Sequence, residues 1–137
     1  MRRLLSYSAS LPITSFGLLI LRIGFGGLLM LHGYDKIVHY AEMKTQFFPF
    51  LGMSAPVALG MLIFAEFICS IFVVFGLFTR FACVPVIFAM SVALFKAHGG
   101  DVTGDGQAAT LFLLAFLTIL FTGAGKYSLD AALYKFA

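Results

Sequence analysis

Four apolar segments of roughly membrane-spanning length dominate the chain. They cover residues 16–37, 55–78, 81–97 and 108–123 of a 137-residue sequence. An α-helix needs about 20 apolar residues to cross the roughly 30 Å hydrocarbon core of a bilayer. Hydrocarbon offers no partners to backbone N–H and C=O groups, so each segment must pair these groups internally as a helix. The sequence therefore predicts an all-α integral membrane four-helix bundle, organised as a single transmembrane domain over residues 1–137.

The composition agrees with that class of protein. Hydrophobic residues make up 61% of the chain and charged residues only 11%, whereas soluble domains carry about 25% charged residues. The formal net charge of +3 comes from basic residues spread along the chain, which is typical of topology signals in a membrane protein. We therefore expect the lipid bilayer as the main partner, and no nucleic-acid partner.

The connections between the segments bear on topology. Residues 38–54 alternate polar and apolar positions, and this pattern fits either an interfacial helix between helices 1 and 2 or an irregular loop folded over the bundle. The short connection after residue 78 makes the second and third helices antiparallel neighbours. Four spans place both termini on one side, and the positive-inside rule makes that side cytoplasmic because it carries a group of basic residues: Arg2, Arg3, Arg80, Lys126 and Lys135.

Ionisable residues inside the predicted spans are the candidates for a functional site. A charged group in hydrocarbon is costly and usually faces the bundle interior, where it is paired. At about 100° per residue, one face of the first helix carries Arg22, Phe25, Gly26, Leu29, Gly33 and Lys36, and His32 lies on its flank. We expect this face to point into the bundle. Depth estimates of about 1.5 Å per residue bring Arg22 within reach of Glu66 on the second helix. We predict an Arg22–Glu66 ion pair, because either charge alone in hydrocarbon would be strongly destabilising.

The candidate ligand-binding residues are Arg22, His32, Lys36, Glu66 and His98. His32, Lys36 and His98 come to the outer end of the predicted bundle. The Arg22–Glu66 pair could anchor a ligand or could simply hold the first two helices together, and both interpretations stay open. Histidines on different helices can ligate haem, but the sequence shows no second histidine pair and no metal-ligand spacing. We predict no metal site and no evident cofactor, with a bound quinone as the exception considered below.

Several motifs are similar to those of the DoxX family of small bacterial membrane proteins. They are the stretches from Leu21 to Lys36, Ala65 to Phe67, Phe75 to Arg80 and Gly123 to Asp130. The resemblance implies a four-helix, multi-pass protein of the bacterial inner membrane, with relatives that include the small subunit of a thiosulfate:quinone oxidoreductase. The positions that match the family pattern are Arg22, His32, Gly33, Lys36, Glu66, Arg80 and Asp130.

Three functions are compatible with these features. The first is a redox-associated, quinone-linked membrane subunit, which would act as an enzyme only together with a cofactor or an oxidoreductase partner protein. The second is a non-catalytic scaffold or assembly factor for an oxidoreductase complex. The third is a small-solute transporter, which would have to form a homo-oligomer because four helices do not enclose a path.

Overall fold

The computed structural model describes residues 10–47, 49 and 51–136, and these residues form helices joined by turns. The helices are α1 (Leu11–Val38), α2 (Tyr40–Met43), α3 (Ala55–Ile63), α4 (Ser70–Phe75), α5 (Thr79–Val92), α6 (Gln107–Thr122) and α7 (Leu129–Phe136). A π-helical turn, Phe64–Cys69, joins α3 to α4, and a second one, Ala93–Ala97, extends α5. The described part of the chain contains no strand, so the all-α prediction is confirmed.

These helices form four apolar segments, which correspond to the four segments of the sequence and which we call spans 1 to 4. Span 1 is Leu11–Val38, span 2 is Ala55–Phe75, span 3 is Thr79–Ala97 and span 4 is Gln107–Thr122. Among the described residues, the first three are long and apolar enough to cross a membrane. Span 4 is equally apolar in character but has 16 residues, which cover about 24 Å at about 1.5 Å per residue.

The ends of the spans define two ends of the bundle. We call the end where span 1 begins and span 4 finishes the terminal end. We call the opposite end, which holds the connections 39–54 and 98–106, the loop end. Span 1 begins at Leu11 rather than at residue 16, since Pro12 occupies its first turn, where a missing backbone donor costs nothing. The connection after span 1 contains one helical turn, Tyr40–Met43, rather than a longer interfacial helix.

Span 1 packs closely on span 2 because two of its glycines face that span. A Cβ atom on Gly26 would lie 2.8 Å from Cγ2 of Val74, and one on Gly33 would lie 2.7 Å from the backbone nitrogen of Phe67. Small residues at helix interfaces let membrane helices approach in this way. The face predicted to point inward does so, since Arg22, Gly26, Leu29 and Gly33 are all buried.

The centre of the bundle is filled by apolar side chains from all four spans. Fully buried members include Leu29, Val73, Val86, Phe116 and Ile119. Large apolar side chains also cover the outside, where Phe81 and Phe121 are 81% and 78% exposed. This outer surface faces lipid in a membrane protein and is therefore not an unfavourable exposure to water.

Candidate ligand cavity

A cavity of about 680 Å³ opens at the loop end of the bundle, between the four spans. This volume is within the range of about 300–1,000 Å³ that is common for ligand sites. Most of its wall is apolar and includes Leu29, Met61, Met90 and Phe112. The polar side chains on the wall are those of Lys36, Glu66, His32 and His98. The cavity is thus an apolar chamber with a small set of ionisable groups.

The central polar feature of this wall is an ion pair between Lys36 and Glu66. Nζ of Lys36 lies 2.6 Å from Oε2 of Glu66, and the two side chains are 18% and 7% exposed. The same ammonium group lies 3.5 Å from the carbonyl oxygen of His32. A charge-assisted hydrogen bond of this length satisfies both groups in a region from which water is largely excluded. The pair therefore presents a fixed donor and acceptor at the cavity wall.

The close approach of spans 1 and 2 explains why Lys36 reaches Glu66. Gly33 lies against Phe67 and Glu66 with no room for a side chain, which brings the residue one turn later, Lys36, next to the carboxylate. Glu66 itself belongs to the π-helical turn Phe64–Cys69. Turns of this kind are often found at functional sites, because they redirect side chains away from the regular helical pattern.

The two histidines border the cavity from different spans. The His32 ring packs edge-on against Phe112 of span 4, with a distance of 5.7 Å between ring centroids. His98 follows the second π-helical turn, Ala93–Ala97, and caps span 3. Both π-helical turns therefore contribute to the same wall, since Glu66 comes from one and Ala97 from the other.

Arg22 does not pair with Glu66, so the predicted Arg22–Glu66 ion pair is wrong. Arg22 lies near the terminal end and is completely buried. Its Nη1 donates to the carbonyl oxygens of Val73 and Val74 at 3.4 and 3.5 Å, and its Nη2 donates to the carbonyl oxygen of Tyr127. The last carbonyls of a helix lack backbone partners and carry partial negative charge. Arg22 therefore caps the end of span 2 and ties the C-terminal segment to it, away from the cavity.

Asp130 completes this terminal-end network. Its carboxylate accepts hydrogen bonds from the backbone nitrogen of Phe78 at 2.8 Å and of Thr79 at 3.0 Å. It also accepts one from the Thr79 hydroxyl at 2.7 Å. These contacts cap the start of span 3 with an acidic group, where the helix macrodipole favours negative charge. One sequence signal points to this contact, because Asp130 is among the positions that resemble the family pattern.

His39, just beyond span 1, forms a second ionisable contact near the loop end. Its Nδ1 lies 2.9 Å from the backbone carbonyl of Asp35 and 3.2 Å from the Asp35 carboxylate. The hydrogen bond to that carbonyl, together with the Asp35 charge, raises the pKa of His39 above its ordinary value.

Within the described residues, no group of three or more His, Cys, Asp or Glu side chains is placed to hold a metal ion.

The fold defines a small helical membrane protein, and its cavity is apolar except for a few ionisable groups on the wall. The chain belongs to the DoxX family, whose model matches residues 17–99. That match includes Arg22, Lys36, Glu66 and His98, and thus the polar groups of the cavity as well as the buried arginine.

Two proteins of Haemophilus influenzae, both described as uncharacterized, are similar to this chain. One is 34% identical over 101 residues, which cover 70% of this chain and 67% of the relative. The other is 31% identical over 128 residues, which cover 86% of this chain and 91% of the relative. No solved structure gives a significant match.

Proposed function

We propose that the protein is a redox-associated membrane subunit that binds a quinone-like molecule, or a similar small amphipathic molecule, in the loop-end cavity. The observation that carries this proposal is the placement of Lys36, Glu66, His32 and His98 on the wall of an otherwise apolar chamber. Ligand sites typically combine a mostly apolar lining with a few polar groups that orient the ligand. Arg22 is outside this site and has a structural role.

The donors on the wall suit the carbonyl oxygens of a quinone ring. The Lys36 ammonium is a donor, and a neutral imidazole of His32 or His98 also presents one N–H group. Glu66 fixes the Lys36 ammonium by the 2.6 Å contact, so the donor is held in place before a ligand arrives. A bound quinone supplies the electron transfer, while the residues of this chain bind and orient it.

The route of access also favours a lipid-soluble ligand. Met61, Phe64, Val84 and Phe88 line the cavity and are 54%, 51%, 55% and 51% exposed on the side between spans 2 and 3. Span 3 packs against span 2 from the π-helical turn Phe64–Cys69 of span 2 to the end of that span. The cavity lies beside the first half of span 2, which precedes this turn. In a bilayer, this side faces acyl chains, so a hydrophobic molecule can enter without passing through water.

The proposed setting is the bacterial inner membrane, crossed by all four spans, with both termini in the cytoplasm. The distribution of basic residues supports this orientation. Arg80, Lys126 and Lys135 lie at the terminal end and Arg2 and Arg3 precede span 1 in the sequence, whereas the loop end has Lys36, Lys44 and Lys96. The loop end and its cavity then face the outer side. Electrons would pass between the quinone and an oxidoreductase partner protein.

A second candidate function, a scaffold for an oxidoreductase complex, is favoured by α7. This helix follows the bundle at the terminal end and exposes Leu133, Tyr134 and Phe136 by 51%, 85% and 89%. An exposed apolar patch of this kind fits a protein interface. A scaffold would need α7 and would be indifferent to the charges in the cavity.

The test of the first function is the amount of quinone that co-purifies with the protein. The protein is isolated in mild detergent and extracted with organic solvent, and quinone is quantified per protein. We expect wild type to retain quinone and the double variant Lys36→Met, Glu66→Gln to retain about tenfold less, because a charge-assisted contact is lost. Thr118→Ala is the matched control, since Thr118 is exposed and its hydroxyl donates to the carbonyl oxygen of Leu114 within its own helix.

Equal quinone content in wild type and the double variant would refute the site. To separate the scaffold function, the same preparations are compared for co-purifying protein with a variant that carries Leu133→Ser and Phe136→Ser on the exposed side of α7 and keeps Asp130. Loss of a stoichiometric partner in this α7 variant, with no effect of the cavity variants, would favour the scaffold.

A further inference from the structure

A second, smaller cleft lies at the terminal end and is independent of the proposed quinone site. It has a volume of about 300 Å³ and lies between the start of span 3 and the end of span 4. Arg80, Phe78, Phe81, Gly123 and Asp130 line it. The cleft sits where the apolar surface of the bundle gives way to the polar terminal segment, at the level expected for lipid headgroups.

Arg80 is the cation of this cleft. Its guanidinium group lies over Gly123, where a Cβ atom would be 3.3 Å from Nη2, so the absence of a side chain at Gly123 leaves room beside the guanidinium. Within residues 10–47, 49 and 51–136, no hydrogen bond or ion pair engages the Arg80 side chain. Five N–H donors in a fixed planar arrangement are therefore presented toward the cleft.

The carboxylate of Asp130 also lines the cleft, but its hydrogen bonds go to the start of span 3. Its oxygens accept from the backbone nitrogens of Phe78 and Thr79 and from the Thr79 hydroxyl, so Asp130 already offsets the positive end of the span 3 macrodipole. No ion pair joins this carboxylate to Arg80 among the described residues. The guanidinium N–H groups of Arg80 therefore remain available to an anion bound in the cleft.

The apolar surroundings indicate which anion this is. Phe78 and Phe81 on the cleft wall are 58% and 81% exposed, and Phe121 on the adjoining turn of span 4 is 78% exposed. A phosphate placed beside Arg80 would have acyl chains next to these rings. Basic clefts between membrane helices on the cytoplasmic side are sites for anionic lipid headgroups, and the guanidinium group pairs well with phosphate oxygens.

We propose that the cleft around Arg80 binds the headgroup of an anionic phospholipid, with the acyl chains lying along Phe81 and Phe121. The lipid packs between spans 3 and 4 and neutralises Arg80. The site does not involve Lys36, Glu66 or the loop-end cavity, so it holds whether or not the protein binds a quinone.

The experiment measures lipid binding to the full chain, delipidated in detergent, by native mass spectrometry. Phosphatidylglycerol and phosphatidylcholine with the same acyl chains are the probes. We expect the wild type to bind phosphatidylglycerol more tightly than phosphatidylcholine. Arg80→Ala and the bulkier neutral variant Arg80→Gln should each bind phosphatidylglycerol about tenfold more weakly. Arg80→Gln preserves most of the side-chain packing in case Arg80→Ala does not fold.

Lys126→Ala is the control, because Lys126 is an exposed cation at the same end whose ammonium group lies 6.0 Å from the Tyr127 ring centroid. It should bind phosphatidylglycerol like the wild type. Equal binding of the two lipids, unchanged affinity in the Arg80 variants, or an equal loss in Lys126→Ala would overturn the proposal. Displacement of the lipid by an equal concentration of inorganic phosphate would also overturn it, since the cleft would then recognise phosphate alone.

Discussion

Lys36 and Glu66 pair across the interface of spans 1 and 2, with 2.6 Å between Nζ and Oε2. They are 30 residues apart in sequence and meet only because Gly33 lets the two helices touch at the level of Phe67. The pair forms part of the wall of the loop-end cavity. It is therefore both a contact that stabilises the bundle and the most strongly polar feature that a ligand would meet.

The first prediction concerns the stability of this pair. Lys36→Met leaves the Glu66 carboxylate buried without its cation, and Glu66→Gln removes the anion from Lys36. We expect each change to lower the free energy of unfolding in detergent, by about 3 kcal/mol for Lys36→Met. The double variant should recover part of the loss, because no unpaired charge remains. Strictly additive losses, measured by denaturant unfolding, would show that the pair is not coupled.

The second prediction concerns the glycine that brings the spans together. Gly33→Ala would place a Cβ atom 2.7 Å from the backbone nitrogen of Phe67, and backbone cannot move aside as a side-chain tip can. We expect a clear loss of thermal stability and a weaker Lys36–Glu66 contact. Gly24→Ala is the matched control on the same helix, since a Cβ atom there meets nothing within 4 Å. Equal melting temperatures for the two variants would contradict the packing.

The third prediction separates the role of Arg22 from that of Glu66, since both charged residues are buried. Arg22 caps the carbonyls of Val73 and Val74 and holds Tyr127, so Arg22→Lys should destabilise the protein because a single ammonium cannot replace the planar guanidinium. The quinone retained by the protein that remains folded should equal that of wild type. A selective loss of quinone from folded Arg22→Lys protein would place Arg22 in the ligand site after all.

The fourth prediction is a pH dependence that comes from His39. Its pKa is raised in the folded protein by the Asp35 carbonyl and carboxylate, above an unfolded value of about 6.5. Protonated His39 therefore adds stability below about pH 6.5, and this contribution is lost as the pH rises through the folded pKa. The melting temperature of wild type should exceed that of His39→Gln at low pH, and the difference should shrink toward alkaline pH. A difference in melting temperature that grows with pH would contradict a raised pKa of His39 in the folded protein.

The sequence predicted the fold well because the bilayer restricts which secondary structures can span it. Apolar segments of spanning length can only be helices there, and a 100° periodicity correctly placed Arg22, Gly26, Leu29 and Gly33 on the buried face of span 1. The connection after span 1 was harder to predict, because its alternating pattern fits both an interfacial helix and a loop. Among the residues of this connection that the structure describes, the helical part is the turn Tyr40–Met43.

The ion pair was predicted with the wrong partner for a physical reason. Depth along a helix was estimated from a regular rise, yet Glu66 lies in a π-helical turn that changes the direction of its side chain. Residue types alone also suggest a carboxylate as the partner of a buried arginine. Here backbone carbonyls at the end of span 2 and in the C-terminal segment accept hydrogen bonds from Nη1 and Nη2 of Arg22. Residue types alone do not predict a contact with a backbone carbonyl, because every residue has one.

The most direct test of the central claim is to fill the loop-end cavity and measure binding of a short-chain quinone at equilibrium. Ala93 lines the cavity, and Ala93→Phe would occupy part of it without altering the Lys36–Glu66 pair. Leu111→Phe adds bulk on an exposed, lipid-facing position of span 4 as the control. We expect Ala93→Phe to bind at least about tenfold more weakly than wild type, and Leu111→Phe to bind equally well. Unchanged affinity in folded Ala93→Phe protein would contradict a quinone site in this cavity.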